Sequence, residues 1–309
     1  MSQIVHAVVV TYNRRELLKE CLRALEAQTR PLDRILVVDN ASTDDTLAML
    51  AAEFPHLPVV ALDRNGGSAG GFRDGLKSAF DQGGADWFWL LDDDTIPEPR
   101  ALEEMLLATE AAGEPPAMVS SNVFWSDGNP HPMNKPWPRY NPVELAVDAA
   151  ERHLVLIRAA TYVSILVRRE ALEAHGLPSA PMFIWGDDIE FTARLLRHER
   201  GYLAPRSVVE HRTAKALPAS NSKGGRYFYD VRNKVWMLRG EAWDFREKVL
   251  FGWFGLKGIA EYMRFNGFAP GSFAVVVRGL VAGLRSPVPA VELPPALSAE
   301  RVAVHREAP

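Results

Sequence analysis

Three adjacent carboxylates, Asp92-Asp-Asp94, close the apolar run Asp86-Trp-Phe-Trp-Leu-Leu91. Neighbouring like charges repel, so stability alone does not favour them there. Alternation along an extended chain puts Asp92 and Asp94 on one side. Two carboxylates so placed are oxygen ligands for a hard cation, Mg²⁺ or Mn²⁺, which in turn grips phosphate. The alternative is a solvated strand end that caps a helix starting near Pro97. A second acidic cluster lies in Trp185-Gly-Asp-Asp-Ile-Glu-Phe191. Asp187 and Asp188 open a helix there. Either they cap its free N–H groups, or they supply a general base and a ligand for a substrate hydroxyl. His211, in Val208-Val-Glu-His-Arg212, is a structural hydrogen-bonder or a metal ligand. Asp39, after Val37-Val38, is an acceptor for a nucleobase N–H or an ordinary turn aspartate. The glycines of Asn65-Gly-Gly-Ser-Ala-Gly-Gly71 would let a backbone approach a ligand closely, but no Gly-Lys-Ser/Thr follows, so the run is not a P-loop.

The elements that must position these residues alternate in period over the first half. Ile4–Val10 is a continuous β-branched run, as in a buried parallel strand. Arg14–Gln28 follows with Leu17, Leu18, Cys21, Leu22 and Leu25 at helical spacing. Strands are predicted at Ile35–Val38, Pro58–Leu62 and Asp86–Leu91, with helices between them ending near Phe54 and Phe80. This pattern predicts an α/β, Rossmann-like, mostly parallel sheet wound with helices. Ligands of such sheets collect at the carboxyl ends of strands, where every polar cluster falls. Asp127–Asn141, rich in Pro, Asn and Trp, reads as a long functional loop. Ala159–Val167 reads as one strand and Asp187–His198 as a helix. From Gly224 the chain becomes basic, aromatic and helical, and a Pro-rich tail expected to be mobile follows Ser286.

Composition excludes several classes. With 309 residues, 47% hydrophobic and 24% charged, this is neither a disordered nor a collagen-like chain. One cysteine, Cys21, forbids an intrachain disulfide framework and a multi-thiolate zinc site, and suggests a reducing compartment. No secretory leader is read at Met1–Val10, and no stretch reaches the roughly 18 apolar residues of a spanning helix. The net charge of -4 hides an asymmetry: residues 1–196 hold 17 Lys and Arg against 29 Asp and Glu, residues 197–285 hold 16 against 7. An acidic front and a basic back suggest two different tasks.

Taken together and in order, Val8-Val-Val-Thr-Tyr-Asn-Arg14, Val37-Val-Asp-Asn-Ala-Ser-Thr-Asp44, Asn65–Gly71, Asp92–Asp94 and Trp185–Phe191 resemble the family-2 inverting glycosyltransferases of GT-A fold. The triple Asp, Trp185–Phe191 and Tyr227-Phe-Tyr-Asp-Val-Arg-Asn233 resemble the bacterial galactofuranosyl- and rhamnosyltransferase branch. The resemblance spans residues 4 to about 240. It implies a nucleoside-diphosphate sugar donor, UDP- or dTDP-linked, and a glycan or polyprenol-linked acceptor. It also implies roles. Thr11, Asn13 and Asp39 would hold base and ribose, and Arg64, Gly67 and Asp93 would lie beside the nucleotide sugar. Asp92, Asp94 and His211 would hold Mn²⁺ or Mg²⁺. Asp188 would be the general base, with Asp187 and Trp185 on the acceptor.

The expected organisation is a GT-A catalytic domain over residues 1–222, with a nucleotide-sugar half to about 125 and an acceptor half over 126–222. A helical extension over 223–286 and the tail over 287–309 follow. In the extension, Phe251-Gly-Trp-Phe-Gly-Leu-Lys257 and Tyr262-Met-Arg-Phe265 mix aromatics with basic residues. They form either a packing helix, possible also in a homo-oligomer, or a segment lying on an anionic membrane. The second reading places a cytoplasmic protein peripherally on the inner face of the cell membrane. Two other classes stay open on the residues alone. A nucleotidyltransferase would need a glycine- and basic-rich triphosphate loop, and Thr11–Arg15 has two arginines but no glycine. A glycan- or nucleic-acid-binding module is the other, although no nucleic-acid-binding signature is present and no nucleic-acid partner is expected.

Overall fold

The computed structural model describes residues 3–213, 219–221 and 224–294. The expected boundary at 222/223 and residues 295–309 of the expected tail lie outside the described residues. The chain opens with β1 (Val5–Thr11), α1 (Arg15–Glu26), β2 (Arg34–Asp39), α2 (Thr46–Glu53), β3 (Val59–Ala61), α3 (Gly67–Gln82) and β4 (Trp87–Asp92). Then come β5 (Thr95–Pro97), α4 (Ala101–Ala111), β6 (Met118–Phe124), β7 (Trp137–Pro138), α5 (Val143–Glu151), β8 (Val155–Ala159), β9 (Ile165–Arg168) and α6 (Arg169–His175). The last elements are α7 (Asp187–Leu195), β10 (Gly201–His211), α8 (Tyr227–Arg239), α9 (Phe245–Phe265) and α10 (Pro270–Arg285).

All seven residues of β1 are buried because both faces of the strand are covered. Val5, Ala7 and Val9 enter one core with Leu18, Leu22 and Leu25 of α1. Val8 and Val10 enter the other with Phe72 and Leu76 of α3. The expected α/β layering is thus the observed one. The sheet runs β3-β2-β1-β4-β9-β6-β10-β8-β7, and β5 pairs with β10. β3, β2, β1 and β4 are parallel, as are β6 and β10, while β9 lies antiparallel between β4 and β6. The carboxyl ends of β1, β2, β4, β6 and β10 therefore open on one edge, where a ligand site belongs.

Two expectations change. Ala159–Val167 is not one strand: β8 joins β10 and β7, whereas β9 crosses to sit between β4 and β6. An apolar run reports burial, and the intervening Ala160, Tyr162 and Val163 are as buried as the strands. The first part of the tail, residues 287–294, is laid against the catalytic fold. The Glu292 carboxylate accepts from Lys77 Nζ at 3.0 Å and Arg73 Nη1 at 3.1 Å, and its carbonyl accepts from Leu177 N at 2.8 Å. Gly176, with φ +81° and no side chain, leaves room for Val291 beside it.

The helical extension is packed into the catalytic fold. Trp236, Met237, Trp243 and Phe251 share a core with Met182 and Ala193. The buried Arg158 guanidinium donates to Glu247 at 2.7 Å, at the start of α9. α10 lies tightly on α8 because a side chain at Gly279 or Gly283 would overlap Val231 or Val235.

Candidate active site

The carboxylate triplet meets the imidazole through a short crossing. After β4, the chain turns so that β5 pairs with the end of β10 in the register His211↔Thr95, one residue beyond Asp94. His211 Nε2 then lies 3.0 Å from Asp94 Oδ1. Asp92, Asp94 and His211 each offer a ligand atom, and these atoms all lie within 4.8 Å of one another. Two carboxylate oxygens and one imidazole nitrogen are a donor set for a divalent cation of the Mn²⁺ or Mg²⁺ type. The electrostatics fit the same use. Burial, then the neighbouring Asp94 and Asp93, push the Asp92 carboxyl well above the usual carboxylate range. Burial opposes ionisation of Asp94 too, but the hydrogen bond and charge of His211 and the charge of Arg14 hold it below that range.

His211 is held from behind. Its Nδ1 lies 2.8 Å from Asn134 Oδ1, and Asn134 Nδ2 donates to Thr161 Oγ1 at 2.9 Å. The second bond orients the amide so that its oxygen faces the ring. Nδ1 therefore carries a proton, which leaves Nε2 as the ring atom turned to the carboxylate cluster. The buried His131 ring packs 4.9 Å from His211, and burial, then the His211 charge, lowers its pKa to about 4. His131 and Asn134 both come from the loop expected to be functional from its length.

The residues expected around the nucleotide divide into two groups. At the carboxyl end of β2, Asp39 is 1% exposed; its Oδ2 accepts from Ser42 N at 3.1 Å. Its Oδ1 is buried with no hydrogen-bond partner among the described residues. A buried carboxylate oxygen left unpaired calls for a donor, and a nucleobase N–H is one. Arg64 is exposed in the loop between β3 and α3. The others build the floor of the site. Thr11 and Asp93 are buried against each other, with Thr11 Oγ1 donating to Asp93 Oδ2 at 2.7 Å. The Asn13 carbonyl oxygen accepts from Thr43 N at 2.7 Å and Asp44 N at 3.3 Å, joining the loops after β1 and β2. Gly67, with φ +70°, faces the Phe183 carbonyl, which any side chain there would overlap. What demands glycine at 67 is this neighbouring loop. Gly71 and Gly75 likewise bring α3 down onto Val10, Val8 and Val38.

Adjacent aspartates at the start of α7 part company. Asp187, expected on the acceptor, is 2% exposed and accepts from Ser68 Oγ at 2.7 Å, which ties α7 to α3. Asp188 is partly exposed and accepts from Ile189 N at 2.7 Å. Burial raises its pKa to about 6, the range of a general base working near neutrality. Asp188 also faces Asp92 closely enough to raise it. Ahead of these residues, Phe183, Trp185 and Gly186 all have positive φ, at 66°, 65° and 81°. Asn233 of α8 holds this strained stretch: its Nδ2 lies 2.8–3.0 Å from the carbonyls of Met182, Ile184 and Trp185. The Arg226 guanidinium covers the Trp185 ring, 5.3 Å from its centroid.

Arg14, Asn134, Ser68 and Asn233 were not singled out as site residues. Arg14 and Asn233 lie inside recognisable motifs, and Arg14 Nη1 contacts Asp94 and sits 3.4 Å from Asp93 Oδ1. Ser68 lies in the Asn65–Gly71 run and Asn134 in the loop expected to be functional, but nothing within either singles out the residue.

Comparison with known proteins agrees with this geometry. The sequence model of Glycosyl transferase family 2 matches residues 6–176. Galactofuranosyltransferase GlfT1 of Mycobacterium tuberculosis is 31% identical over 291 residues, covering 85% of this chain and 94% of that protein. GlfT1 of Mycolicibacterium smegmatis is 29% identical over 293 residues, covering 85% and 95%. Among solved structures, S. aureus TarS 1-349 superimposes with a TM-score of 0.60 at 14% identity, covering 92% of this chain and 81% of that one. The same protein in complex with UDP-GlcNAc gives 0.59 at 15% identity, covering 90% and 80%. At such identities the structural likeness is one of fold.

Proposed function

From the premise that this chain belongs to glycosyl transferase family 2, we propose that it moves galactofuranose from a UDP-linked donor to a hydroxyl of a glycan or polyprenol-linked glycan, with inversion, at the inner face of the cell membrane. Family membership sets aside the nucleotidyltransferase and the non-catalytic module. Galactofuranose is favoured over rhamnose because the similarity to galactofuranosyltransferases runs over 85% of the chain. The observation that carries the reading is the pairing, on one sheet edge, of the Asp92, Asp94 and His211 cluster with a separate carboxylate, Asp188.

In this reading Asp92, Asp94 and His211 hold Mn²⁺ or Mg²⁺, which supplies Lewis-acid neutralisation of the donor diphosphate. Asp39 takes the base through its unpaired Oδ1. Arg14, half exposed beside the carboxylates, adds fixed positive charge where the leaving group gathers negative charge. Asp188 accepts the proton of the attacking hydroxyl as the new C–O bond forms on the opposite face of the sugar. No enzyme carboxylate bonds to the sugar, so the anomeric configuration inverts in one displacement. Trp185, braced by Arg226 and Asn233, walls the acceptor side.

The test is a panel of UDP-galactofuranose, UDP-galactopyranose, UDP-GlcNAc and dTDP-rhamnose with a soluble galactan acceptor, read by NMR of the product. Transfer from UDP-galactofuranose with an inverted anomeric centre is expected. Retention of configuration, or transfer from dTDP-rhamnose alone, overturns the reading.

A further inference from the structure

The outer surface of α9 and α10 is the reverse of what a solvated helix pair presents. On α9, Phe245, Val249, Trp253 and Leu256 recur every three to four residues and point outward, with Phe245 80% and Trp253 66% exposed. On α10, Phe273, Val277, Val281 and Leu284 do the same, with Phe273 62% and Leu284 63% exposed. The inward faces are already satisfied: Phe251, Gly255 and Tyr262 of α9 and Val276, Gly279 and Gly283 of α10 are buried. Surface helices normally turn polar residues outward, and a continuous apolar patch of this kind marks a surface that is covered.

Charge decides what covers it. Every exposed charged residue on the two helices is basic: Arg246, Lys257, Arg264, Arg278 and Arg285. The two acids present, Glu247 and Glu261, face Arg158 and Lys257. Seating a second copy across a two-fold axis would set this basic face against itself. A sheet of lipid phosphates complements it. No described helix is long and apolar enough to cross a membrane, so contact would be made lying flat. A groove of about 590 Å³ beside α10, lined by Phe228, Val277, Arg278, Val281 and Arg285, combines an apolar floor with two guanidinium groups that have no carboxylate partner among the described residues. The groove connects to the acceptor side through rings: Phe228 lies 5.3 Å from Tyr229, and Tyr229 lies 4.7 Å from Phe183.

Resting on the lipid-linked acceptor of the proposed function, we infer that α9 and α10 form an interfacial seat for an anionic phospholipid bilayer. The aromatic and aliphatic stripes dip among the acyl chains while Arg278 and Arg285 take lipid phosphates beside Phe228. This face thus holds the enzyme at the surface where a lipid-linked glycan would be presented to Trp185 and Asp188.

The test is co-sedimentation of the full-length protein with vesicles of phosphatidylcholine alone or mixed with phosphatidylglycerol, at low and high salt. The wild type is compared with the double variants Trp253→Ser/Phe273→Ser and Arg278→Gln/Arg285→Gln. Thermal unfolding and size-exclusion chromatography confirm that each is folded. The wild type is expected to pellet with the anionic vesicles at low salt, and each double variant to lose partition by about tenfold or more at unchanged Tm. Failure of the wild type to pellet, or equal pelleting of the variants, overturns the seat. So does a dimer that the serine variant converts to monomer, because a second copy then covers the face. Transfer to a soluble galactan separates the two claims. Lipid binding without transfer by the wild type would sink the proposed function and leave the seat standing; transfer without lipid binding would do the reverse.

Discussion

As the proposed general base, Asp188 would set catalysis and stability against each other in one side chain. Its pKa is about 6 in the fold against 3.8 ordinarily, so the native state disfavours the ionised form that a base requires. Only that form accepts a proton, and transfer should therefore fall as pH drops through about 6, measured as kcat against pH with saturating donor. Asp188→Asn should cost about 10²–10⁴-fold in kcat while leaving donor binding intact. The same substitution should raise the melting temperature. Above pH 6 the wild type carries the full penalty of a disfavoured charge, and relieving it contributes roughly 1–3 kcal/mol at neutral pH. That gain should fade as pH falls from about 6 towards 3.8, where the wild-type carboxyl takes up its proton without help. Calorimetry at pH 7.5 and pH 4.5 checks the sign. The His211 ring makes a second residue-scale case. Removing the Asn134 amide by Asn134→Ala frees the ring to rotate, and Mn²⁺ affinity should weaken by about 10–100-fold in a spectroscopic titration of the protein without donor. Unchanged affinity would show that the ring is placed by packing alone. Full transfer activity in excess EDTA would remove the metal from the mechanism.

In the proposed function, the stretch 182–186 is the element on which the acceptor side would depend. Phe183 and Trp185, non-glycine residues with positive φ, each store strain that the surroundings must over-determine, whereas Gly186 takes its positive φ freely. Gly67 presses on the stretch from α3, and Asn233 grips three of its carbonyls from α8. Asn233→Ala would leave carbonyl groups in a buried place without a donor, at a cost of about 1–3 kcal/mol. The loop would relax, and the acceptor KM should rise with the donor KM unchanged. A fall in Tm with both KM values preserved would mean that Asn233 supports the fold and not the site. This also explains why the basic, aromatic region cannot be treated as an attachment: α8 completes the wall that α7 begins.

At the scale of the molecule, the proposed reading gives the acidic front to the donor and the basic back to the membrane. Residues 287–294 reach back to the front through Glu292, which pairs with Lys77 and Arg73. These side chains are 28–45% exposed, and exposed pairs contribute about 0–1 kcal/mol. Glu292→Ala should accordingly lower Tm only slightly, with a difference that vanishes at high salt; a large or salt-insensitive loss would mean that the backbone contact to Leu177 depends on the pair.

The alternation of strand and helix, the acidic ends of β4 and the loop before α7, and the basic, aromatic, helical character of the last third were all legible in the sequence. Burial, helical period and turn chemistry are properties of neighbouring residues, and neighbouring residues carry them. The choice between adjacent, chemically identical aspartates was not legible. Asp93 is bonded to Thr11 from 82 positions away, Asp187 to Ser68 from 119 and Asp94 to His211 from 117. The splitting of Ala159–Val167 into two strands belongs to the same class. Partners at such distances are selected by strand order and register across the whole sheet, so only the tertiary structure decided which carboxylate meets His211 and which are bonded to Thr11 and Ser68.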